Sequence, residues 1–249
     1  MSIHTRSPIA LAAAALLLAA CGGDAQTDKA VATSTADGSL ATSMSGDSAD
    51  TRGQAMVRVV NASPMTENLI VRSDETHALP AVSYKKVTQY QLIDKNWVKF
   101  QVGGMSGGEY LPLETNREML ADGHRYSLIV IRDEQGTGYR TRVLRDEISS
   151  DMTRAHLRVI HAAPGIDEVT VIARGGEKLF DGINFTSEAG LKDILPWSGT
   201  LEFRTEDGQR LLLAMPKVSL EAGKTYSIVL ARDAKGKLEA FSFEDAPVP

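Results

Sequence analysis

The chain has 249 residues, 43% of them hydrophobic, which is enough to bury a core and too apolar for disorder throughout. Its 27 Lys and Arg against 32 Asp and Glu leave a net charge of −5, so no basic surface is available to follow a phosphate backbone, and the expected partners do not include nucleic acid. One cysteine, Cys21, rules out an internal disulfide and any cysteine-rich zinc site.

The first twenty residues carry a positive start at Arg6 and then an apolar run of Ile, Leu and Ala behind Pro8. The run is shorter than the roughly 20 residues a spanning helix needs and fits the roughly 7–15 of a secretory signal. Residues 1–20 are therefore expected to be a signal peptide. Leu18-Ala19-Ala20-Cys21 resembles the lipobox of bacterial lipoproteins. The resemblance implies cleavage before Cys21, a diacylglycerol on its sulfur and a further acyl chain such as palmitate. Three chains, at about 0.8 kcal/mol per buried CH₂, make a permanent anchor. Gly22, where an aspartate would favour inner-membrane retention, points to the outer membrane, with the side left open.

Residues 21–53 are mostly Ala, Ser, Thr, Gly and Asp, with no aromatic side chain and only Val31, Leu40 and Met44 as larger apolar ones, and cannot build a core. They are expected to be a disordered tether, with a mean span of roughly 30 Å for a flexible chain of that length.

The remainder repeats. Val57-Arg58-Val59-Val60-Asn61-Ala62-Ser63-Pro64 matches Leu157-Arg158-Val159-Ile160-His161-Ala162-Ala163-Pro164 at an offset of 100. Leu120 to Asp133 matches Leu220 to Asp233 at the same offset, while Val98 to Gln101 pairs with Leu201 to Arg204 at 103, so Trp97 and Trp197 align only by number. Two domains are expected, residues 54–150 and 151–249. Alternation around Arg58 and Arg158 reads as strands with one buried face; Tyr126 to Ile131 and Tyr226 to Ala231 are continuous apolar runs, read as core strands covered on both sides. Asp133 to Gly136, Asp207-Gly208 and Asp233 to Gly236 supply hairpin turns. Ser187 to Leu195 fits either a helical turn or a strand. Short strands at regular spacing predict an all-β chain with two tandem immunoglobulin-like sandwiches. In Leu-x-x-Gly-x-x-Tyr, Tyr126 and Tyr226 are placed for a tyrosine corner, in which the phenol bonds backbone a few residues upstream.

These two anchors resemble the bacterial domain of unknown function 4397, over roughly residues 55–145 and 155–243. The resemblance implies envelope or surface proteins with tandem sandwiches and no catalytic role. The second repeat follows the pattern more closely, since Asn61 replaces the histidine found at His161.

Catalytic signals are weak. Gly104-Met105-Ser106-Gly107-Gly108 fits Gly-x-Ser-x-Gly, yet a nucleophile elbow needs a helix after the serine, and Glu109 to Leu113 contains a proline and reads as extended. His156 and His161, five apart on a strand, point to opposite faces and cannot share a metal, and His161 is placed to bond backbone in the turn before Pro164. No calcium loop or phosphate-cradling loop is present, and no cofactor is expected. Trp97 and Trp197 are candidate stacking platforms for a sugar or a partner, Trp197 the more so because Pro196 and Ser198-Gly199 place it in a turn; the competing reading is core. Arg58 and Arg158 read as a solvated face with the aliphatic stems laid on the sheet.

The expected function is a non-enzymatic binding, adhesion or scaffold module, lipid-anchored at Cys21, with an envelope protein or glycan as partner. The alternatives are a hydrolase using Ser106, and capture of a glycan or peptide between the two sandwiches.

Overall fold

The computed structural model describes residues 54–65, 69–74, 77–106, 109–147 and 149–245. The signal peptide, Cys21 and the tether to residue 53 lie outside the described residues. Among those described, every regular element is a strand. The first repeat contributes β1 (Ala55–Asn61), β2 (Ile70–Ser73), β3 (His77–Ala78), β4 (Gln91–Ile93), β5 (Trp97–Ser106), β6 (Glu109–Met119), β7 (Arg125–Arg132) and β8 (Tyr139–Arg145). The second contributes β9 (Ala155–His161), β10 (Glu168–Ala173), β11 (Lys178–Asn184), β12 (Glu188–Ile194), β13 (Trp197–Thr205), β14 (Leu211–Leu220), β15 (Thr225–Arg232) and β16 (Leu238–Glu244). The segment that fits helix or strand equally in sequence is therefore strand β12, which pairs with β9 along the sheet edge.

Each repeat is a sandwich of two four-stranded sheets, so the chain is all-β with two tandem immunoglobulin-like sandwiches. One sheet has the order β4-β1-β7-β8 in the first repeat and β12-β9-β15-β16 in the second; the other has β3-β2-β5-β6 and β11-β10-β13-β14. The 100-residue offset survives as register: β1 runs parallel to β7 with Val57 beside Tyr126, and β9 runs parallel to β15 with Leu157 beside Tyr226.

The continuous apolar runs serve two cores at once, because successive side chains on a strand face opposite ways. In β7, Tyr126, Leu128 and Val130 enter the core of the first sandwich with Val57, Val59 and Phe100. Leu157, Val159, Ile228, Leu230 and Phe203 do the same in the second. The alternate residues Val60, Ile129 and Ile131 meet Ile160, Val229 and Ala231 in a third core shared by the two repeats. The β1–β7 sheet and the β9–β15 sheet thus stack face to face, so the two repeats together are four sheets deep.

Both tyrosine corners close on backbone. The Tyr126 hydroxyl accepts the Ala121 N–H at 2.9 Å, and the Tyr226 hydroxyl accepts the Glu221 N–H at 3.2 Å. The tight turn before each needs a left-handed residue, supplied by Gly123 at φ 72° and Gly223 at φ 74°. Tyr126→Phe is expected to cost on the order of 1–3 kcal/mol in a denaturant titration, and more than Tyr226→Phe, because the first bond is shorter and its phenol more buried. Equal midpoints for wild type and Tyr126→Phe would show that the bond contributes nothing.

Candidate functional site

Arg58 and Arg158, expected on a solvated face, are each only 4% exposed. The reason is the face-to-face stacking: the side of the strand that would meet water in a single sandwich meets the other repeat. Arg58 donates Nε–H to Ser127 Oγ at 2.8 Å, and Arg158 donates Nε–H to Ser227 Oγ at 3.0 Å, each within its own repeat. The serine hydroxyls donate hydrogen bonds to the following aspartates, Ser127 to Asp146 at 2.7 Å and Ser227 to Asp245 at 2.8 Å. The guanidinium ends cross over. Arg58 bonds Asp245 of the second repeat, and Arg158 bonds Asp146 of the first at 2.8 Å. Arg58 also lies 4.8 Å and 4.9 Å from the ring centres of Tyr90 and Phe243, so its charge is further held by aromatic faces. Tyr90 donates to Asp146 at 2.7 Å; burial, and then the Asp146 carboxylate, push its phenol above the ordinary value and keep it a donor.

Two guanidiniums against the two buried carboxylates, with both serines interleaved, form a cluster on the shared face, and Arg158 at its edge also lies 3.5 Å from Glu188. Its chemistry is that of a lock between the repeats. The space between the sandwiches, where the sequence allows capture of a glycan or peptide, is filled there by this cluster and by the third core. Shallow depressions remain at the rim, one lined by Arg145, Glu147, Arg158 and Glu188, another by Glu114, Tyr139, Arg140, Thr141 and Thr186.

His156 and His161 are both buried and both bond protein groups. His156 Nδ1 meets Asp193 at 2.6 Å and Nε2 meets the Asp151 carbonyl at 2.9 Å. His161 Nδ1 accepts the Ala163 N–H at 3.3 Å while Nε2 donates to the Ile166 carbonyl at 3.0 Å, bracketing Pro164. Asn61 does the same work in the first repeat, accepting the Ser63 N–H at 2.8 Å and donating to the Val82 carbonyl at 3.0 Å. The exchange of histidine for asparagine preserves one acceptor and one donor, which identifies the position as structural. Burial pushes the His161 imidazole down to about 4. The unfolded chain takes up this proton near pH 6.5, so the contribution is whole above that value, is lost as pH falls toward 4, and amounts to about 3 kcal/mol. His161→Asn is expected to flatten that part of the stability profile, read as the difference between the two urea-denaturation series from pH 7 to 4.

The two tryptophans project from opposite faces of their sheets. Trp97 opens β5 on the solvent side and is 68% exposed; Trp197 packs against the second core, its ring over Gly199, where an added Cβ would come within 2.4 Å. Trp97, rather than Trp197, is the exposed platform. Opposite it in register stands Met119, 64% exposed. Two positions further along the same face, Lys99 stands opposite Arg117. On the other outer sheet Glu202 pairs with Arg174 and with Arg204, both at 2.7 Å. Ser106 ends β5 opposite Glu109, and the chain returns as the antiparallel strand β6 rather than as the helix a nucleophile elbow requires; Gly107 and Gly108 lie outside the described residues.

The sequence profile of the domain of unknown function DUF4397 matches the chain twice, over residues 55–172 and 155–249. The chain belongs to the DUF4397 family. No curated protein matches it in sequence. Among solved structures, a family 26 carbohydrate-binding module from Eubacterium rectale, in complex with maltoheptaose, is similar at 9% identity and a TM-score of 0.24, over 78% of this chain and 98% of that one. A candidate cell adhesion protein from Bacteroides fragilis is similar at 8% identity and a TM-score of 0.20, over 78% and 99%. Likenesses this distant carry no argument about function.

The two DUF4397 domains are therefore joined through an approximately two-fold arrangement of the same residues, Arg, Ser and Asp, used once from each copy. Ser127, Ser227, Asp146 and Asp245 are functional in holding the DUF4397 pair together, and sequence reasoning missed them. The available signal was that Arg58/Arg158 and Ser127/Ser227 recur as polar residues inside otherwise apolar strands.

Proposed function

We propose that the chain is a non-enzymatic binding or adhesion module of the cell envelope, anchored in the outer membrane by lipid on Cys21 and contacting its partner through the β5–β6 hairpin. The observation that carries this reading is the distribution of exposed apolar side chains. Trp97, Met105, Leu111, Leu113 and Met119 are five of the nine large apolar side chains left exposed among the described residues, and all five lie on this hairpin. Scattered singly, such residues need no explanation; concentrated on one element they mark a contact surface. The shared face, by contrast, is already occupied by the other repeat.

Two measurements test it. Cys21→Ser is expected to move the chain from the membrane fraction to the soluble one and to abolish incorporation of labelled palmitate; membrane partition without labelling in wild type would remove the anchor. Crosslinking from a photoreactive group at Met119 in intact envelopes is expected to trap a partner that the Trp97→Ala variant does not. Trapping unaffected by Trp97→Ala would place the contact elsewhere.

A further inference from the structure

We propose that the depression beside Arg158, at the rim of the shared face, binds a small single-ring phenol. Two places related by the repeat differ here. Gln91 stands opposite Val57 as Lys192 stands opposite Leu157, and Val87 bridges Val60 as Glu188 pairs with Ile160. Between those fixed points, Gln89 and Tyr90 correspond to Gly190 and Leu191. Likewise Phe243, paired with Ser227, corresponds to Leu144, paired with Ser127. Around Arg58 the protein supplies its own rings: Tyr90 and Phe243 lie 4.8 Å and 4.9 Å from the guanidinium, and the Tyr90 hydroxyl donates to Asp146 at 2.7 Å. Around Arg158 leucines replace both rings, and Gly190 replaces Gln89 at a point where an added Cβ would meet nothing within 4 Å. What remains is a depression of about 180 Å³ lined by Arg145, Glu147, Arg158, Glu188, Gly190 and Leu191. A cavity of about 150 Å³ holds one benzene ring, so the space is that of a single ring.

The lining selects the ligand. Arg158 Nη1 bonds two of its members, the Arg145 carbonyl at 3.4 Å and Glu188 Oε2 at 3.5 Å. Those bonds leave room for a ring, because a planar guanidinium bonds at its edge and stacks on its face. Arg58 shows this directly, holding Asp245, Ser127 and two aromatic faces at once. Leu191 gives the ring an apolar wall. Glu188, half-buried and an acceptor only, takes the phenol hydroxyl as Asp146 takes that of Tyr90. The lining carries two cations and two anions, so a charged substituent on the ring would meet a like charge, whereas a neutral donor would not.

The test uses the full chain with p-cresol as the probe, followed by NMR at the Gly190 amide and by thermal melting. Its controls are 4-methylcyclohexanol, the saturated analogue, and toluene, which lacks the hydroxyl. The phenol is expected to shift the Gly190 resonance saturably, to raise the melting temperature as a ligand of the folded state does, and to bind at least about tenfold more tightly than either control. Leu191→Tyr puts a ring where the first repeat has Tyr90, and Leu191→Phe the ring without its hydroxyl. Each is expected to abolish p-cresol binding, with the melting temperature held or raised. Trp97→Ala is expected to leave p-cresol binding unaltered, so the site stands or falls apart from the β5–β6 face. No shift at Gly190, equal affinity for p-cresol and 4-methylcyclohexanol, or binding retained when either Leu191 variant is folded overturns the proposal. Tighter binding of N-acetyltyrosinamide than of p-cresol would assign the ring to a protein side chain and overturn the small-molecule reading.

Discussion

Asp245→Ala is expected to lower the stability of the folded region by about 3–5 kcal/mol, the range measured when one partner is removed from a buried ion cluster. Asp245 receives Arg58 and the Ser227 hydroxyl, and Arg158 lies at 3.5 Å. Without it, two guanidiniums that are 4% exposed share one buried carboxylate; Arg158 keeps Asp146 at 2.8 Å and Glu188 at 3.5 Å, while Arg58 reaches Asp146 only at 3.4 Å. For a unit of this size the loss corresponds to a fall in Tm of roughly 10 °C. The penalty comes from stranding charge rather than from the strength of the pair. The double substitution Arg58→Met with Asp245→Leu, which removes a cation and an anion together, is therefore expected to cost less than Asp245→Ala alone. A loss below about 1 kcal/mol for Asp245→Ala, the scale of an exposed pair, would show that water reaches the cluster.

Phe203→Ala is expected to cost about 3–5 kcal/mol, from lost burial plus the cavity left in a side chain's place, and to lower the unfolding of both repeats together. Phe203 is fully buried in the core of the second sandwich, whose members all belong to the second repeat. The coupling arises because the third core and the arginine cluster belong to both repeats. A first sandwich left folded alone would expose Val60, Ile129 and Ile131 and strip Arg58 of Asp245. Each repeat carries one tryptophan, so Trp97 read in a Trp197→Phe background and Trp197 read in a Trp97→Phe background report the halves separately. One shared midpoint, shifted equally by Phe203→Ala, is the expected result. Two midpoints, with only the Trp197 signal moved, would make the repeats independent.

Much of the architecture was legible without coordinates. The 100-residue repeat, the turns at Asp133 and Asp233 and the glycine before each tyrosine are local signals, and local backbone preferences dictate them. Strand β12 was not legible, since Ala189, Leu191 and Ile194 satisfy two periodicities over a segment this short. The contact face was half legible. Trp97 and Trp197 share an offset of 100, while the strands that carry them align at 103; an odd difference reverses which face a side chain takes, so one indole meets solvent and the other the core.

By itself the sequence determined that the folded region is two copies of one all-β domain, because periodicity and turn chemistry act within a few residues and need no partner. Only the tertiary structure decided what those copies do to each other. A single arginine between two apolar strand residues looks the same whether the far side of its sheet meets water or another sheet. Asp245 lies 187 residues from Arg58, and nothing nearer in the chain says that the two meet. Stacking the sheets converts a face that would be solvated into a buried one, and that alone turns Arg58, Ser127, Asp146 and their counterparts from side chains that would meet water into the joint between the repeats.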